Sequence, residues 1–181
     1  MTVVFIGGSR VVSRLNRRIT ERLDNIMNRQ FSALIGDANG ADKAVQRYFA
    51  SRGYRNVTVH CMDVCRNNVG EWPISRHTAQ PNARRDRHYY AIKDEVMANQ
   101  ATCGFMLWDG RSKGTLANVL NLLNSQKKVL LYVSPKKSFF TLTDLNDLHD
   151  TLEAVGIRDV PQFLVSLGLG GPTTPPVLRF G

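Results

Sequence analysis

The sequence predicts an α/β domain in which a mostly parallel sheet of five or slightly more strands is covered by helices on both faces. Short apolar runs rich in β-branched residues alternate with stretches of helical period, and loop-forming residues follow each run. The runs are apolar throughout rather than at every second residue. Strands of this kind are typical of parallel sheets buried between two layers of helices.

The alternation covers most of the chain. Five strands are predicted, at residues 3–6, 31–35, 57–61, 103–107 and 129–133. Three helices are predicted from apolar residues at helical spacing, namely Leu15, Ile19, Leu23 and Ile26, then Ala41, Ala44, Val45, Tyr48 and Phe49, then Leu116, Val119, Leu120 and Leu123. This order indicates a Rossmann-like three-layer sandwich.

Cap and turn residues mark several boundaries. Gly53 follows the second helix as a C-terminal cap residue does, and Thr141 with Asp144 has capping-box spacing ahead of a late helix. Residues 62–81 have no clear period and are predicted to form a long loop, which in compact domains is often a lid or a partner contact. We expect one domain over residues 1–160 and a Pro- and Gly-rich tail over residues 161–181.

The composition argues against a disordered chain and against a membrane-spanning one. Apolar residues make up 43% and charged residues 22% of the 181 residues, close to the averages for soluble globular proteins. No apolar run approaches the roughly 18 to 20 residues of a membrane span, and we expect a cytoplasmic protein. The net charge of +9 favours an anionic partner.

The cysteines Cys61, Cys65 and Cys103 are an odd number in a chain expected in the cytoplasm. We therefore expect reduced, mostly buried thiols rather than a disulfide framework. His60 precedes Cys61, but no second pair at zinc-ligand spacing follows. No metal site is predicted.

Three glycine-containing loops directly follow predicted strands, at residues 7–10, 36–42 and 108–115. The ends of parallel strands share one edge of the sheet, and ligands bind there at the reversal of strand order. Glycine permits close approach to a ligand, and the N-terminus of the following helix attracts phosphate or carboxylate. The loops carry neither G-x-G-x-x-G nor G-K-[ST], which argues against dinucleotide-oxidoreductase and P-loop chemistry.

These loops carry a family resemblance. Gly-Ser-Arg at 8–10, Gly-Asp-Ala-Asn-Gly-Ala-Asp at 36–42, Asn-Ala-Arg-Arg-Asp at 82–86 and Trp-Asp-Gly-Arg-Ser-Lys-Gly-Thr at 108–115 resemble the SLOG superfamily, in particular its small bacterial branch related to the YspA and YpsA proteins. The resemblance implies a nucleotide-binding Rossmann-like domain. The superfamily also holds the Lonely Guy phosphoribohydrolases, DNA-processing protein A and relatives of the nucleoside deoxyribosyltransferases.

One departure from the family pattern bears on activity. In the Lonely Guy group the last loop reads P-G-G-x-G-T-x-x-E, and its glutamate is needed for glycosidic-bond chemistry. Here Gly114 and Thr115 lead to Asn118 at that position. Because an amide cannot act as a carboxylate nucleophile, the departure weakens the prediction of an enzyme. Asn118 lies three residues after Thr115, off the apolar stripe, and is expected to face the ligand.

The predicted ligand-binding residues are Gly8, Ser9, Arg10, Gly36, Asp37, Asn39, Gly40, Asp42, Arg84, Arg85, Asp109, Gly110, Ser112, Gly114, Thr115 and Asn118. Arg10 and one of Arg84 and Arg85 are expected to contact phosphate, because the guanidinium group binds phosphate oxygens in pairs. Aspartates are expected at ribose hydroxyls or in acid-base work, although Asp42 is equally consistent with a helix cap. Trp108 is expected in the core rather than stacked on a base.

Three functions are consistent with these features of the sequence. The first is binding of a nucleotide or nucleotide-derived ligand in nucleotide metabolism or signalling, with no cofactor. The second is an N-glycosidase, phosphoribohydrolase or ribosyl-transfer enzyme in which Asp37, Asp86 or Asp109 replaces the missing glutamate. The third is nucleic-acid binding through the positive charge. The base, the number of phosphates and a homo-oligomeric state are left open, and no membrane partner is expected.

Overall fold

The computed structural model describes residues 1–80 and 84–169. The elements in chain order are β1 (Val3–Gly8), α1 (Arg17–Asn28), β2 (Ser32–Gly36), α2 (Ala41–Ser51), β3 (Val57–Met62), β4 (Ile74–His77), α3 (Arg87–Gln100), β5 (Cys103–Trp108), α4 (Lys113–Asn124), β6 (Lys128–Val133), β7 (Ser138–Leu142), α5 (Leu145–Ala154) and α6 (Val160–Ser166). The α/β class is confirmed, and each of the five predicted strands is present within two residues of its predicted bounds.

All strands join one sheet in the order β4-β3-β2-β1-β5-β6-β7. Every neighbouring pair is parallel except β6 and β7, which are antiparallel. The chain moves outward from β1 to β4 and then returns to the other side of β1 with β5. The strand order therefore reverses between β1 and β5, and a crevice forms outside the C-terminal ends of these two strands.

Both edge strands escaped the sequence prediction. β4 lies inside the segment predicted as a long loop, and its four residues alternate between exposed and half-buried. An edge strand of this kind lacks the apolar run by which the buried strands were found. Thr141 belongs to β7 and therefore does not cap the late helix α5, contrary to the predicted capping box. Asp144 caps α5 with its own carboxylate, which accepts the N–H groups of Asn146 and Asp147.

Two apolar clusters cover the two faces of the sheet. One contains Ile19 and Leu23 of α1 and Val45 and Phe49 of α2. The other contains apolar side chains of α3, α4, α5 and α6. Trp108 belongs to this second cluster and is fully buried, which confirms its predicted place in the core.

The C-terminal residues that the structure describes pack on this second cluster. In α6, which begins at Val160, the ring of Phe163 lies 6.5 Å from the ring of Trp108. Residues 161–169, the first part of the predicted tail, therefore continue the folded domain, and residues 170–181 lie outside the described residues. Within the described ranges, no helix is both long and apolar enough to cross a bilayer.

Cys61 and Cys65 form a disulfide, with their Cα atoms 5.0 Å apart. The expectation of three reduced thiols was wrong for this pair. Cys65 lies in the loop after β3, and the loop turns back on the strand it has just left, which brings the two sulfurs together. Cys103 is a free, half-buried cysteine.

Candidate functional site

A cleft of about 640 Å³ lies at the crevice between β1 and β5. It is bounded by the ends of these strands and of β2, by the first turn of α4 and by one face of α3. Its lining residues are Phe5, Gly7, Gly8, Ser9, Arg10, Gly36, Ala38, Asp42, Arg66, Arg85, Asp86, Tyr90, Ala91, Lys93, Asp94, Met97, Asp109, Arg111, Ser112, Gly114, Thr115, Ala117, Asn118 and Asn121. All three predicted loops contribute to this lining.

Most of the predicted ligand-binding residues line the cleft. The residues that do are Gly8, Ser9, Arg10, Gly36, Asp42, Arg85, Asp109, Ser112, Gly114, Thr115 and Asn118, and the catalytic candidate Asp86 joins them. The lining does not include Asp37, Asn39, Gly40, Arg84 or Gly110. Asn118 lines the cleft from α4, and its expected contact with a ligand stays a prediction.

The first two loops are held together by main-chain contact. The N–H of Ser9 donates to the carbonyl of Leu107 at 2.9 Å, and the N–H of Ala41 donates to the carbonyl of Ser9 at 3.1 Å. Gly40 has φ +82°, and a Cβ there would lie 2.2 Å from the carbonyl oxygen of Arg10. Only glycine fits this contact, so Gly40 allows the close approach of the Arg10 backbone.

The third loop presents the N-terminus of α4 to the cleft. Ser112 caps this helix, because its Oγ accepts the N–H of Thr115 at 3.3 Å. One oxygen of Asp109 accepts the N–H groups of Arg111 and Ser112 at 3.1 and 2.7 Å. Gly114 is exposed, and a Cβ there would meet no atom within 4 Å. The first turn of α4 thus opens directly onto the cleft, with its N–H groups and partial positive charge.

The buried Asp37 stands behind the wall of the cleft in an ion pair with the exposed Arg66. The guanidinium group of Arg66 donates from Nε and NH2 at 3.0 and 2.6 Å, and the Arg66 main-chain N–H donates at 3.0 Å. Burial alone would raise the pKa of Asp37, but the bonds and charge of Arg66 outweigh it and hold that pKa below its ordinary value. Asp37 is therefore a charged partner of Arg66.

A second buried charge cluster forms the floor of the cleft. The ammonium group of Lys93 lies 2.5 Å from Oδ1 of Asp94, and the amide of Asn118 donates to Oδ2 of Asp94 at 3.4 Å. Asp42 accepts the N–H of Ala38 at 3.2 Å, so it supports the loop before α2 rather than serving as the N-cap, which is Gly40.

The charges of this floor are strongly perturbed. Burial raises the pKa of Asp42 to about 7, against the opposing attraction of Lys93. Burial also opposes the charge on Lys93, but the Asp94 and Asp42 carboxylates outweigh it and raise the pKa of Lys93 above its ordinary value. Gly36 leaves the room for this arrangement, since a Cβ there would lie 2.4 Å from Oδ2 of Asp42.

The rim of the cleft is basic. Arg10, Arg85 and Arg111 are exposed residues of the lining. Arg10 and Arg66 both lie over the ring of Tyr90, at 6.0 and 4.6 Å from its centroid. Cationic groups at these positions surround a half-buried aromatic ring.

The rim also holds the acid at the start of α3. Asp86 caps this helix by accepting the N–H groups of His88 and Tyr89 at 2.9 and 3.3 Å. Asp37, Asp86 and Asp109, the three acids predicted for catalysis, are therefore each engaged in holding a loop or a helix end.

Sequence reasoning missed Lys93, Asp94 and Tyr90, which α3 brings to the cleft. The signal was present in part, since Tyr89, Lys93 and Met97 are spaced four residues apart and place a lysine in an apolar stripe. A lysine in such a stripe is buried and needs charged partners. Arg66 gave no such signal, because its partner Asp37 is 29 residues away in the chain.

Comparisons with known proteins place the fold. No family model matches the sequence, and no curated protein matches it. Among solved structures, DNA processing protein A from Helicobacter pylori, described for its single-stranded DNA binding mode, matches with a TM-score of 0.58 and 14% sequence identity. The match covers 92% of this chain and 80% of that protein. The chain therefore has a fold similar to that of DNA processing protein A.

Proposed function

We propose that the cleft binds a nucleotide or nucleotide-derived ligand, with phosphate at the N-terminus of α4 and at the rim arginines. One observation carries the proposal: the N-terminus of α4, Arg10 and Arg111 all line the same cleft. Helix N-termini bind phosphate through free N–H groups, and arginine adds charge-assisted bonds. The SLOG resemblance of the same loops points to the same class of ligand.

The size and lining of the cleft support a ligand larger than phosphate. About 640 Å³ lies within the roughly 300 to 1,000 Å³ typical of small-molecule sites. Tyr90 offers an aromatic face, while Asp94 and Asn118 offer polar groups on the floor. We assign the sugar and base to this inner part, where carboxylate and amide groups recognise hydroxyl and amino groups.

The experiment is calorimetric titration with nucleosides and with their mono- and diphosphates. Arg10→Ala and Arg111→Ala are each expected to weaken phosphorylated ligands by about 10-fold or more, because a charge-assisted bond contributes about 1.5 to 3 kcal/mol. Nucleoside affinity should change little. Arg17→Ala is the matched control, since Arg17 is 91% exposed and pairs with Glu21 on α1. Equal losses for nucleosides and nucleotides would remove the arginines from the phosphate role, and a panel without any binder would contradict the proposal.

A nucleic-acid strand is the second candidate, and the fold likeness to a single-stranded DNA-binding protein favours it. The basic rim and the net charge of +9 suit a polyanion. Binding of a labelled oligonucleotide should then weaken steeply as salt rises from 50 to about 200 mM, and excess mononucleotide should not compete. Competition at the mononucleotide Kd would instead favour the free nucleotide.

A further inference from the structure

A disulfide lies behind the wall of the cleft. Cys61 belongs to β3 and is fully buried, so the sheet fixes its position. Cys65 bonds to it from the following loop, with a Cα separation of 5.0 Å that is ordinary for a disulfide. The bond therefore ties the start of this loop to the sheet.

The residue after Cys65 is Arg66, which lines the cleft. Its main-chain N–H and its guanidinium group both hold Asp37, and the Asp37 carboxylate and the two sulfurs lie within 4.8 Å of one another. One peptide unit thus separates the disulfide from an arginine that faces the ligand. Arg66 is therefore held from two sides, by its own bonds to Asp37 and, through the preceding residue, by the disulfide.

The rest of the loop is anchored independently of the sulfurs. The Asn67 amide donates to the main chain at Asp37 at 2.7 Å, and Gln46 accepts the N–H of Val69 at 3.0 Å. The indole of Trp72 donates to a buried carbonyl at 2.8 Å. Asp63 is also held without the sulfurs, since its N–H donates to the carbonyl of His77 at 3.1 Å. Loss of the disulfide therefore removes one anchor of residues 64–66 and leaves the anchors of Asp63 and of residues 68–72 in place.

We propose that Cys61 and Cys65 form a reversible redox site that regulates ligand binding by fixing or releasing Arg66. Reduction breaks the S–S bond and forms two S–H groups, while two molecules of a small thiol give up two electrons and two protons and become one disulfide. The reduced protein then pays the cost of ordering Arg66 each time a ligand binds. This regulatory role rests on the proposed function of the cleft.

The first test needs no ligand. Amide hydrogen exchange is compared between oxidised and dithiothreitol-reduced protein carrying Cys103→Ser, which leaves one cysteine pair. Residues 64–66 should exchange at least about 10-fold faster after reduction, with residues 68–72 unchanged. Equal exchange in both states would overturn the redox site, as would two alkylatable thiols in the oxidised protein.

The second test measures the Kd of adenosine 5′-monophosphate in both redox states. Reduction should weaken binding about 3- to 10-fold. Cys65→Ser should bind like the reduced protein and should not respond to dithiothreitol. Equal affinities despite faster exchange would overturn the regulatory role alone. No binding of any phosphorylated nucleotide in either state would overturn the proposed function together with its regulation, while the exchange experiment still decides the redox site.

Discussion

The amide of Asn118 points at the carboxylate of Asp94, with 3.4 Å between Nδ2 and Oδ2, and the two side chains join α4 to α3 across the floor of the cleft. The partner of Asn118 is an acid, and Lys93 holds the other oxygen of that acid. An amide at position 118 therefore completes a charge cluster that a carboxylate would upset.

We predict that Asn118→Asp lowers the free energy of unfolding by about 1 to 3 kcal/mol at pH 7.5, because it sets two carboxylates side by side at a buried position. Asn121→Asp is the control, since Asn121 lies one turn further along α4 on the same cleft wall and is half-buried. Urea unfolding of both variants measures the difference. Equal losses would show that Asp94 does not act on position 118.

The same contact alters the expectation for Asn118→Glu. From the sequence, this substitution restores a glutamate at the family position without placing a charge in apolar packing. Beside Asp94 the new carboxylate adds a like charge. The substitution is therefore expected to destabilise the fold at the same position where it would supply a carboxylate for glycosidic-bond hydrolysis. Asp37, Asp86 and Asp109 each hold a loop or a helix end, and the enzyme alternative with one of them as its carboxylate stays a prediction.

A second prediction concerns pH. The pKa of Asp42 is about 7 in the folded protein and near 3.9 when unfolded, so the folded state binds more protons between these values. Asp42 thus stabilises the fold fully below about pH 4, and this contribution is lost as pH rises to 7. His60 acts in the opposite direction, since burial beside His77 and Lys93 lowers its pKa to about 4 and stability rises with pH toward 6.5.

Asp42→Asn should therefore make stability rise more steeply between pH 4.5 and 6.5 than in the wild type. Asparagine keeps an oxygen for the N–H of Ala38 and removes the titration. Urea unfolding at four pH values from 4.5 to 7.5 measures this. Parallel pH profiles for the two proteins would place the folded pKa of Asp42 near its ordinary value.

A third prediction separates two glycines of the site. Gly40→Ala should cost about 2 to 4 kcal/mol, because Cβ is strained at φ +82° and collides with the backbone of Arg10. Gly114→Ala should be neutral or stabilise by up to about 1 kcal/mol, since alanine favours the helix and its Cβ meets open space. Thermal unfolding distinguishes them, and similar effects of both would refute the close contact at Gly40.

A fourth prediction concerns α6. Phe163→Ala should lower stability by about 1 to 3 kcal/mol, because the ring is half-buried against the cluster that contains Trp108. Val165 of the same helix is 55% exposed, so Val165→Ala should change the free energy of unfolding by no more than about 0.5 kcal/mol. Chemical denaturation monitored by tryptophan fluorescence measures both. If Phe163→Ala were as stable as the wild type, the packing of α6 would not contribute to the stability of the domain.

Much of the fold was predictable because buried strands and amphipathic helices leave local signals. β5 and α4 could be read directly from their apolar residues. β4 could not, since an edge strand with an exposed Ile74 has no continuous apolar run. In α6, whose helical residues are mostly half-buried or exposed, the nearby Pro and Gly concealed a short packed helix.

The site was predictable to the extent that it is made of loops. Glycine-rich turns after strands are visible in the sequence, so the predicted residues include Arg10, Ser112 and Gly114, which line the cleft. The pairing of Asp37 with Arg66 depends on tertiary contact, and nothing in the local sequence separates an aspartate that meets a ligand from one that meets an arginine. Whether Lys93 and Asp94 reach the cleft depends on which face of α3 packs against the sheet, and this orientation is set by tertiary contacts.

Because β1 lies between β2 and β5 in the sheet, the two halves of the sheet are expected to form one after the other. Val3 bonds to Thr102 through main chain and hydroxyl, across 99 residues of chain, and β1 pairs with β5 along five residues. During synthesis β1 to β4 emerge first and can pair with one another, but one side of β1 must wait for β5. The half-sheet meanwhile exposes an apolar edge, and contacts of such long range slow folding. Because the cleft lies at that same seam, it comes into existence only when the second half of the sheet has docked.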